Sequence, residues 1–187
     1  GMWWVQDVSA ALAALLLRPE ARAEILDLCA APGGKTLQLA ACGAQVTALD
    51  TSQNRLERLN ANLARTGLGA QTVLADLESW IPTRKFSRVL LDAPCSATGT
   101  IRRHPDLPLH RRRSDIEKNA RLQSTLLERA ADATAPGGTL VYCVCSLEPQ
   151  EGEDMARAFL ATRDDFSLKP IRADEVPECF SMAVTGA

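Results

Sequence analysis

The chain has 187 residues, 46% of them hydrophobic and 24% charged, with 11 Gly and 10 Pro. These proportions lie near globular averages and exclude a disordered or collagen-like chain, and the length fits one domain with a single sizeable core. Its 21 basic and 23 acidic residues leave a net charge of −2, so overall charge attracts nucleic acid weakly and the placement of the charges matters more.

Gln6 to Leu17 sets Val8, Leu12, Leu15 and Leu16 at helical spacing, and Arg18-Pro19 ends that pattern, which predicts an opening helix. The longest apolar run, Ala10 to Leu17, is far short of the ~20 residues that span a bilayer and lacks the charged flank and cleavage site of a signal peptide, so a soluble, cytoplasmic chain without a membrane partner is expected. Next come a strand at Glu24–Leu28, a Gly-rich turn, a helix near Lys35–Ala41, a strand at Gln45–Leu49 and a helix from Ser52 to about Arg65. That helix carries the stripe Leu56, Leu59, Leu63 and stops at Gly67. Gln71–Leu74 reads as a third strand and Ser87–Leu91 as a fourth, a buried run ending in Asp92-Ala93-Pro94-Cys95. Pro105 and Pro108 predict irregular chain until Asp115, followed by a helix over Ile116 to Ala133. Pro136-Gly137-Gly138 then leads into a strand at Thr139–Val144, and a helix at Glu151–Ala161 and a short stretch at Phe166–Leu168 complete the pattern.

Alternating strands and helices predict an α/β fold whose mostly parallel, doubly wound sheet is covered on both faces. Ligands of such folds bind beyond the carboxyl ends of the strands, where Cys29 to Lys35, Asp50, Asp76, Asp92 to Cys95 and Cys145 all fall. The segment Cys29-Ala30-Ala31-Pro32-Gly33-Gly34-Lys35-Thr36 follows the first strand and opens a helix, so its glycines admit a ligand close to backbone and the helix start offers free N–H groups. On the glycines alone, an ordinary strand-to-helix turn reads the same way. Asp50 ends the second strand where such folds place an acid against ribose hydroxyls. Asp76 follows the third strand and suits an adenine or ribose, or equally a turn or helix cap.

A Walker A loop would need glycine where Cys29 stands, and a dinucleotide loop would need G-x-G-x-x-G where only Gly33-Gly34 is present. A nucleoside cofactor without a long phosphate chain, S-adenosylmethionine, fits better. A P-loop-like nucleotide hydrolase stays open on Gly34-Lys35-Thr36 and Asp92, as does a non-catalytic domain that holds cofactor or RNA.

The six cysteines, at 29, 42, 95, 143, 145 and 179, form no C-x-x-C pair and there are two histidines, so no metal site is expected and the thiols are read as reduced. Cys29, Cys42, Cys143 and Cys179 are read as packing residues. Cys95 and Cys145 both sit past strand ends. If the fourth and fifth strands are neighbours, those ends lie roughly 5 Å apart and both thiols face one pocket, which suggests a thiolate nucleophile with Asp92 protonating or hydrogen-bonding the attacked group. Between Ile101 and Arg113, Arg102, Arg103, Arg111, Arg112 and Arg113 stand against one acid, Asp106, with His104 and His110 nearby. Such a loop suits an RNA backbone held while one base enters the pocket, or an ordinary solvated face. Trp3 and Trp4 could stack a base, but near a chain start they more often pin the first helix.

With CAAPGGKT at 29–36, LDAPCSATGTIRRHPD at 91–106 and Cys145-Ser146, the sequence closely resembles the Sun/Fmu family of RNA (cytosine-5)-methyltransferases, from Val5-Gln6-Asp7 through about Leu160, and most nearly the bacterial members acting on small-subunit (16S) ribosomal RNA. The resemblance implies a Rossmann-like methyltransferase fold using S-adenosylmethionine, with the loop at 29–35, Asp50, Asp76 and Asp92 at cofactor and active-site positions. It also implies that Cys145 adds to carbon-6 of the cytosine to activate carbon-5, that Asp92 stabilises protonated ring nitrogen-3, that Cys95 resolves the adduct, and that Lys35 lies near the pocket. Val144 stands where family members usually have Thr. Against the family pattern, the chain is expected to be one catalytic domain, 1–187, without the N-terminal RNA-binding region and the closing strands, and to be a monomer.

Overall fold

The computed structural model describes residues 1–176, so Cys179 lies outside the described residues. Five strands, β1 (Glu24–Leu28), β2 (Gln45–Asp50), β3 (Gln71–Leu74), β4 (Phe86–Asp92) and β5 (Thr134–Cys143), form one sheet in the order β3-β2-β1-β4-β5. Every pairing is parallel. The helices are α1 (Val8–Leu16), α2 (Gly34–Ala41), α3 (Gln53–Thr66), α4 (Leu107–His110), α5 (Arg113–Ala133) and α6 (Glu153–Thr162). This is the doubly wound, Rossmann-like architecture expected, with no strand after α6 among the described residues.

Side chains alternate along each strand, and the two faces bury against different helices. Ile25, Val46 and Leu90 pack with Ala13, Ala14 and Leu17 of α1 and Leu39 of α2. Leu26, Leu28, Val89 and Leu91 pack with Leu126, Leu127 and Ala130 of α5. Each fully buried Leu contributes about 1.5–3 kcal/mol, so the sheet's centre, which carries the site at its rim, is its most firmly held part. Caps set the helix starts: the Asp7 carboxylate accepts from Ser9 N–H ahead of α1, and Ser52 Oγ accepts from Arg55 N–H ahead of α3.

The structure departs from the expected elements in four places. The segment with Pro105 and Pro108 contains the short α4, because a proline in a helix's first turn gives up an N–H that has no intrahelical acceptor. Helix α5 begins at Arg113 and not Ile116, its start fixed by Asp115 accepting from Arg112 N–H at 2.9 Å. Strand β5 begins at Thr134, but Phe86 pairs with Thr134 and Arg88 already with Thr139, so residues 135–138 bulge out where the Pro-Gly-Gly turn was expected. Helix α6 begins at Glu153 and not Glu151, and in the stretch after it Phe166 meets Phe159 of α6 edge-on, with ring centroids 5.4 Å apart. Among the described residues no helix is long and apolar enough to cross a membrane.

Candidate active site

Strand order reverses direction between β1 and β4, and there the loops leaving the strands part to leave a cleft. Leu28 is in register with Leu49 on one side and Leu91 on the other, so the next row along places Cys29 between Asp50 and Asp92. Cys29 turns the chain at φ 58°, and its thiol is pushed up to about 12 by burial first and then by the Asp50 and Asp92 charges. It stays a neutral packing residue, as expected. Gly33 holds φ 106°, and a Cβ there would stand 2.9 Å from the Leu59 side chain, so the turn into α2 requires glycine.

Asp50, 2% exposed, shapes this loop: one oxygen accepts from Ala31 N–H at 3.1 Å and the other from Ser52 N–H at 3.0 Å. Arg55 reaches Asp50 at 3.4 Å and donates to the Ala31 carbonyl. Asp76 is exposed and accepts from Glu78 N–H at 3.0 Å, the local turn that was weighed against a ligand role. Trp4 packs on the cluster of Ala30, Ala31, Leu37 and Leu56 and so pins the chain's start to α2 and α3, whereas Trp3 is 70% exposed.

Lys35, at the start of α2, does not turn toward its own loop as a phosphate-binding lysine would. Its Nζ meets Asp92 Oδ2 across the cleft at 2.7 Å. Burial alone would lower the Lys35 pKa, but the Asp92 carboxylate outweighs that and leaves it raised, so the ammonium persists. Beneath lies Asp27, fully buried, which accepts from Thr36 Oγ at 2.6 Å while its other oxygen has no partner. Burial pushes the Asp27 carboxyl up to about 7 against the Thr36 hydrogen bond. Cys143 packs against the core as expected, and its thiol also lies 3.5 Å from Asp92 Oδ1, where burial keeps it neutral.

Strands β4 and β5 are neighbours, and the residues beyond them bring Cys95 and Cys145 together with their sulfurs 3.4 Å apart. Two thiols this close ionise as a pair. The Cys95 thiol's hydrogen bond is the largest influence lowering the Cys145 pKa, to about 7, against burial and the Asp92 charge. Cys95 is driven upward by the same contact and by its own burial. When the pair loses its first proton, the one that stays is on Cys95 and the negative charge is on the exposed Cys145, the form in which a cysteine attacks. Backbone seals the contact, since Gly99 N–H donates to the Cys145 carbonyl at 3.0 Å and a Cβ on Gly99 would fall 2.9 Å from that oxygen.

One group went unnoticed in the sequence. Glu151, expected to begin the last helix, sits in a single turn before α6 and is fully buried. It accepts from Ser96 N–H at 2.8 Å, from Ser96 Oγ, from Ser146 Oγ at 2.5 Å and from Gln123 Nε2 at 3.3 Å. The visible signal was the repeated Cys-Ser pair, Cys95-Ser96 and Cys145-Ser146, whose serines meet at this carboxylate. Cys42, read as packing, is exposed at the end of α2.

The arginine-rich segment makes several different contacts. Arg111 Nε donates to the Ser96 carbonyl at 2.9 Å and so belongs to the thiol-bearing loop. Arg103 lies 3.7 Å from Asp7, Arg113 lies 4.0 Å from Glu117 within α5, and Arg102 and Arg112 are exposed.

Residues 14–183 match the family described as 16S rRNA methyltransferase RsmB/F. The ribosomal RNA small subunit methyltransferase B of Shewanella oneidensis is 47% identical over 169 residues, 88% of this chain and 40% of the relative. That of Salmonella newport is 44% identical over 178 residues, 92% of this chain and 42% of the relative. The crystal structure of NSun6 from Pyrococcus horikoshii with SFG superposes with a TM-score of 0.79 at 32% identity, covering 84% of this chain and 42% of that one. The chain thus spans about 40% of the length of the curated relatives it matches. A parallel sheet with paired thiols beyond its β4 and β5 strands and a family match over most of the chain lead to one assignment: the chain belongs to the 16S rRNA methyltransferase RsmB/F family.

Proposed function

We propose that this chain carries the catalytic portion of an S-adenosylmethionine-dependent RNA methyltransferase that methylates carbon-5 of a cytosine in small-subunit ribosomal RNA through a covalent bond to Cys145. The observation that carries the reading is the Cys95–Cys145 contact at 3.4 Å beside the Lys35–Asp92 pair. The residues fit the cofactor: Gly34, where an added Cβ would meet only Gln6 at 3.8 Å, leaves backbone open at the start of α2, Asp50 and Asp92 flank that opening, and Asp76 stands past β3. The loop 29–35 with Asp50, Asp76 and Asp92 would hold it. S-adenosylmethionine supplies the electrophilic methyl group that no side chain provides.

Cytosine carbon-5 is a poor nucleophile until the Cys145 sulfur bonds to carbon-6 and makes the ring enamine-like. Asp92, fixed by Lys35, accepts a hydrogen bond from the ring nitrogen, which takes a proton from solvent as the sulfur adds and gives it back once the product has formed. For product release a base must take the carbon-5 proton while the carbon-6–sulfur bond breaks and returns the electron pair to Cys145. Cys95 is the group at hand. Once Cys145 is bonded to carbon it no longer carries the charge that opposes ionisation of Cys95, so Cys95 releases its own proton to solvent and, as the thiolate, accepts the carbon-5 proton. A base reaching this cleft must leave its stack, which suits a single-stranded or looped RNA, and Arg102, Arg103, Arg112 and Arg113 are available to its phosphates. We read the protein as a monomer acting in the cytoplasm. The test is transfer of labelled methyl from S-adenosylmethionine to a small-subunit rRNA transcript, with the product released by nuclease digestion. Labelled 5-methylcytidine that disappears in Cys145→Ala is expected; label on another base, or full activity in Cys145→Ala, would refute the reading.

A further inference from the structure

Glu151 is a buried carboxylate with no cation against it among the described residues, an arrangement that costs several kcal/mol unless hydrogen bonds compensate. Its partners are unusual in where they sit. Ser96 directly follows Cys95, Ser146 directly follows Cys145, and the two serine oxygens, 3.1 Å apart, both donate to the same carboxylate oxygen. An ionised carboxylate only accepts, so it fixes both hydroxyl protons inward, which a neutral group able to donate would not do. The carboxylate is itself held by Gln123 of α5, and the Glu151 carbonyl accepts from Tyr142 Oη of β5 at 2.6 Å. Burial works against the charge, but the serine bonds outweigh it and hold the Glu151 carboxyl below its ordinary range.

We propose that Glu151 is a positioning residue that sets the separation of the two thiols by tying the loop after β4 to the loop after β5 through Ser96 and Ser146. It touches neither sulfur. Without it the loops remain joined by Gly99 N–H to the Cys145 carbonyl and by Leu147 N–H to Thr98 Oγ at 2.9 Å, so the loop path survives while the side-chain alignment loosens. This role matters for catalysis only if the methyl-transfer reading above holds, but the geometry it claims is testable without that reaction.

The experiment is site-resolved alkylation of Cys145 by iodoacetamide across pH 5.5–10, read by mass spectrometry on the whole chain, in wild type, Glu151→Ala, Glu151→Gln and Ser146→Ala. Besides Cys95, the charged groups that bear on Cys145 are Asp92 and Lys35, and all the variants keep them. Glu151→Ala is expected to raise the inflection of Cys145 by about one pH unit, because the Cys95 thiol no longer rests against the sulfur. Glu151→Gln keeps an acceptor for Ser96 N–H and a donor that both hydroxyls accept, and is expected to stay within about 0.3 unit of wild type. Ser146→Ala cuts the tie to the Cys145 loop, along with the Ser146 Oγ contacts to Thr98 Oγ and Glu148 N–H, keeps Glu151 on Ser96, and carries the test if Glu151→Ala does not fold; a shift of about half a unit is expected. An unmoved profile in folded Glu151→Ala or Ser146→Ala overturns the proposal, as does a Glu151→Gln shift equal to that of Glu151→Ala, which would assign the effect to charge. Shifted profiles with no methyl incorporation by wild type would leave the tie standing and remove the methyl-transfer reading instead.

Discussion

Replacing Cys95 with alanine removes the thiol that hydrogen-bonds the Cys145 sulfur at 3.4 Å and leaves Lys35 and Asp92 in place. With its pKa at about 7, Cys145 is about half ionised at pH 7. An unassisted thiol at ~8.5 is about 3% ionised there, a roughly fifteenfold loss of the reactive form. The remaining thiolate is a better nucleophile, because nucleophilicity rises with basicity with a Brønsted slope of about 0.4–0.5, which over that interval returns roughly four- to sixfold. Cys95→Ala should therefore react with iodoacetamide at Cys145 about threefold more slowly than wild type at pH 7 and about fourfold faster at pH 10. The two rate profiles cross. Because Cys42 is exposed and also reacts, the rate must be followed on the peptide containing Cys145. Parallel profiles, or a wild-type inflection near 8.5, would refute the claim that Cys95 activates Cys145.

Asp27 gives the pH dependence of stability. Its carboxyl is pushed up to about 7, so between about pH 4 and 7 the folded chain holds a proton that the unfolded chain releases, and stability contributed by this group falls as pH rises through that window. Asp27→Asn removes the dependence; its Tm relative to wild type should climb from pH 5 to 7.5, by about 2–3 kcal/mol in stability, and a constant difference would contradict the burial argument. Gly33→Ala places a methyl 2.9 Å from Leu59 at φ 106° and should cost about 1–3 kcal/mol by thermal unfolding while weakening S-adenosylmethionine binding by calorimetry. Unchanged affinity would detach the loop from the cofactor. Arg113→Ala should reduce the salt slope of RNA binding by about one at unchanged thermal stability, whereas Arg111→Ala, which frees the Ser96 carbonyl, should also lower the turnover of bound RNA; equal effects would place both in a merely solvated or merely phosphate-facing role.

The strands were legible because the sheet is buried on both faces, so runs such as Val89-Leu90-Leu91 stand out, and β2 and β4 end in Asp50 and Asp92 at the same rim. From that rim alone the cofactor loop, Asp50, Asp92 and the two cysteines fall to one end of the sheet, and register then makes the thiols neighbours. What the sequence hid were contacts between elements far apart in the chain. Lys35 looks like part of its own loop until the structure turns it to Asp92, and Cys143 looks like a strand filler until the same carboxylate is seen beside it. Glu151 hid best, since an acid ahead of a helix is ordinary capping chemistry and nothing local shows two distant serines converging on it. The arginine segment divides in a way its sequence does not show: folding draws Arg111 onto the Ser96 carbonyl, whereas the Arg113 side chain stays exposed at the start of α5.

The central claim, that Cys145 bonds to the base and Cys95 releases it, is tested most directly by trapping the adduct. Cys95→Ala, incubated with S-adenosylmethionine and an end-labelled small-subunit rRNA transcript at pH 8.5, is predicted to give a protein–RNA band that survives denaturing electrophoresis and is absent from Cys145→Ala and from the double variant. A band that persists without Cys145, or methyl transfer by Cys145→Ala at the wild-type rate, would contradict it.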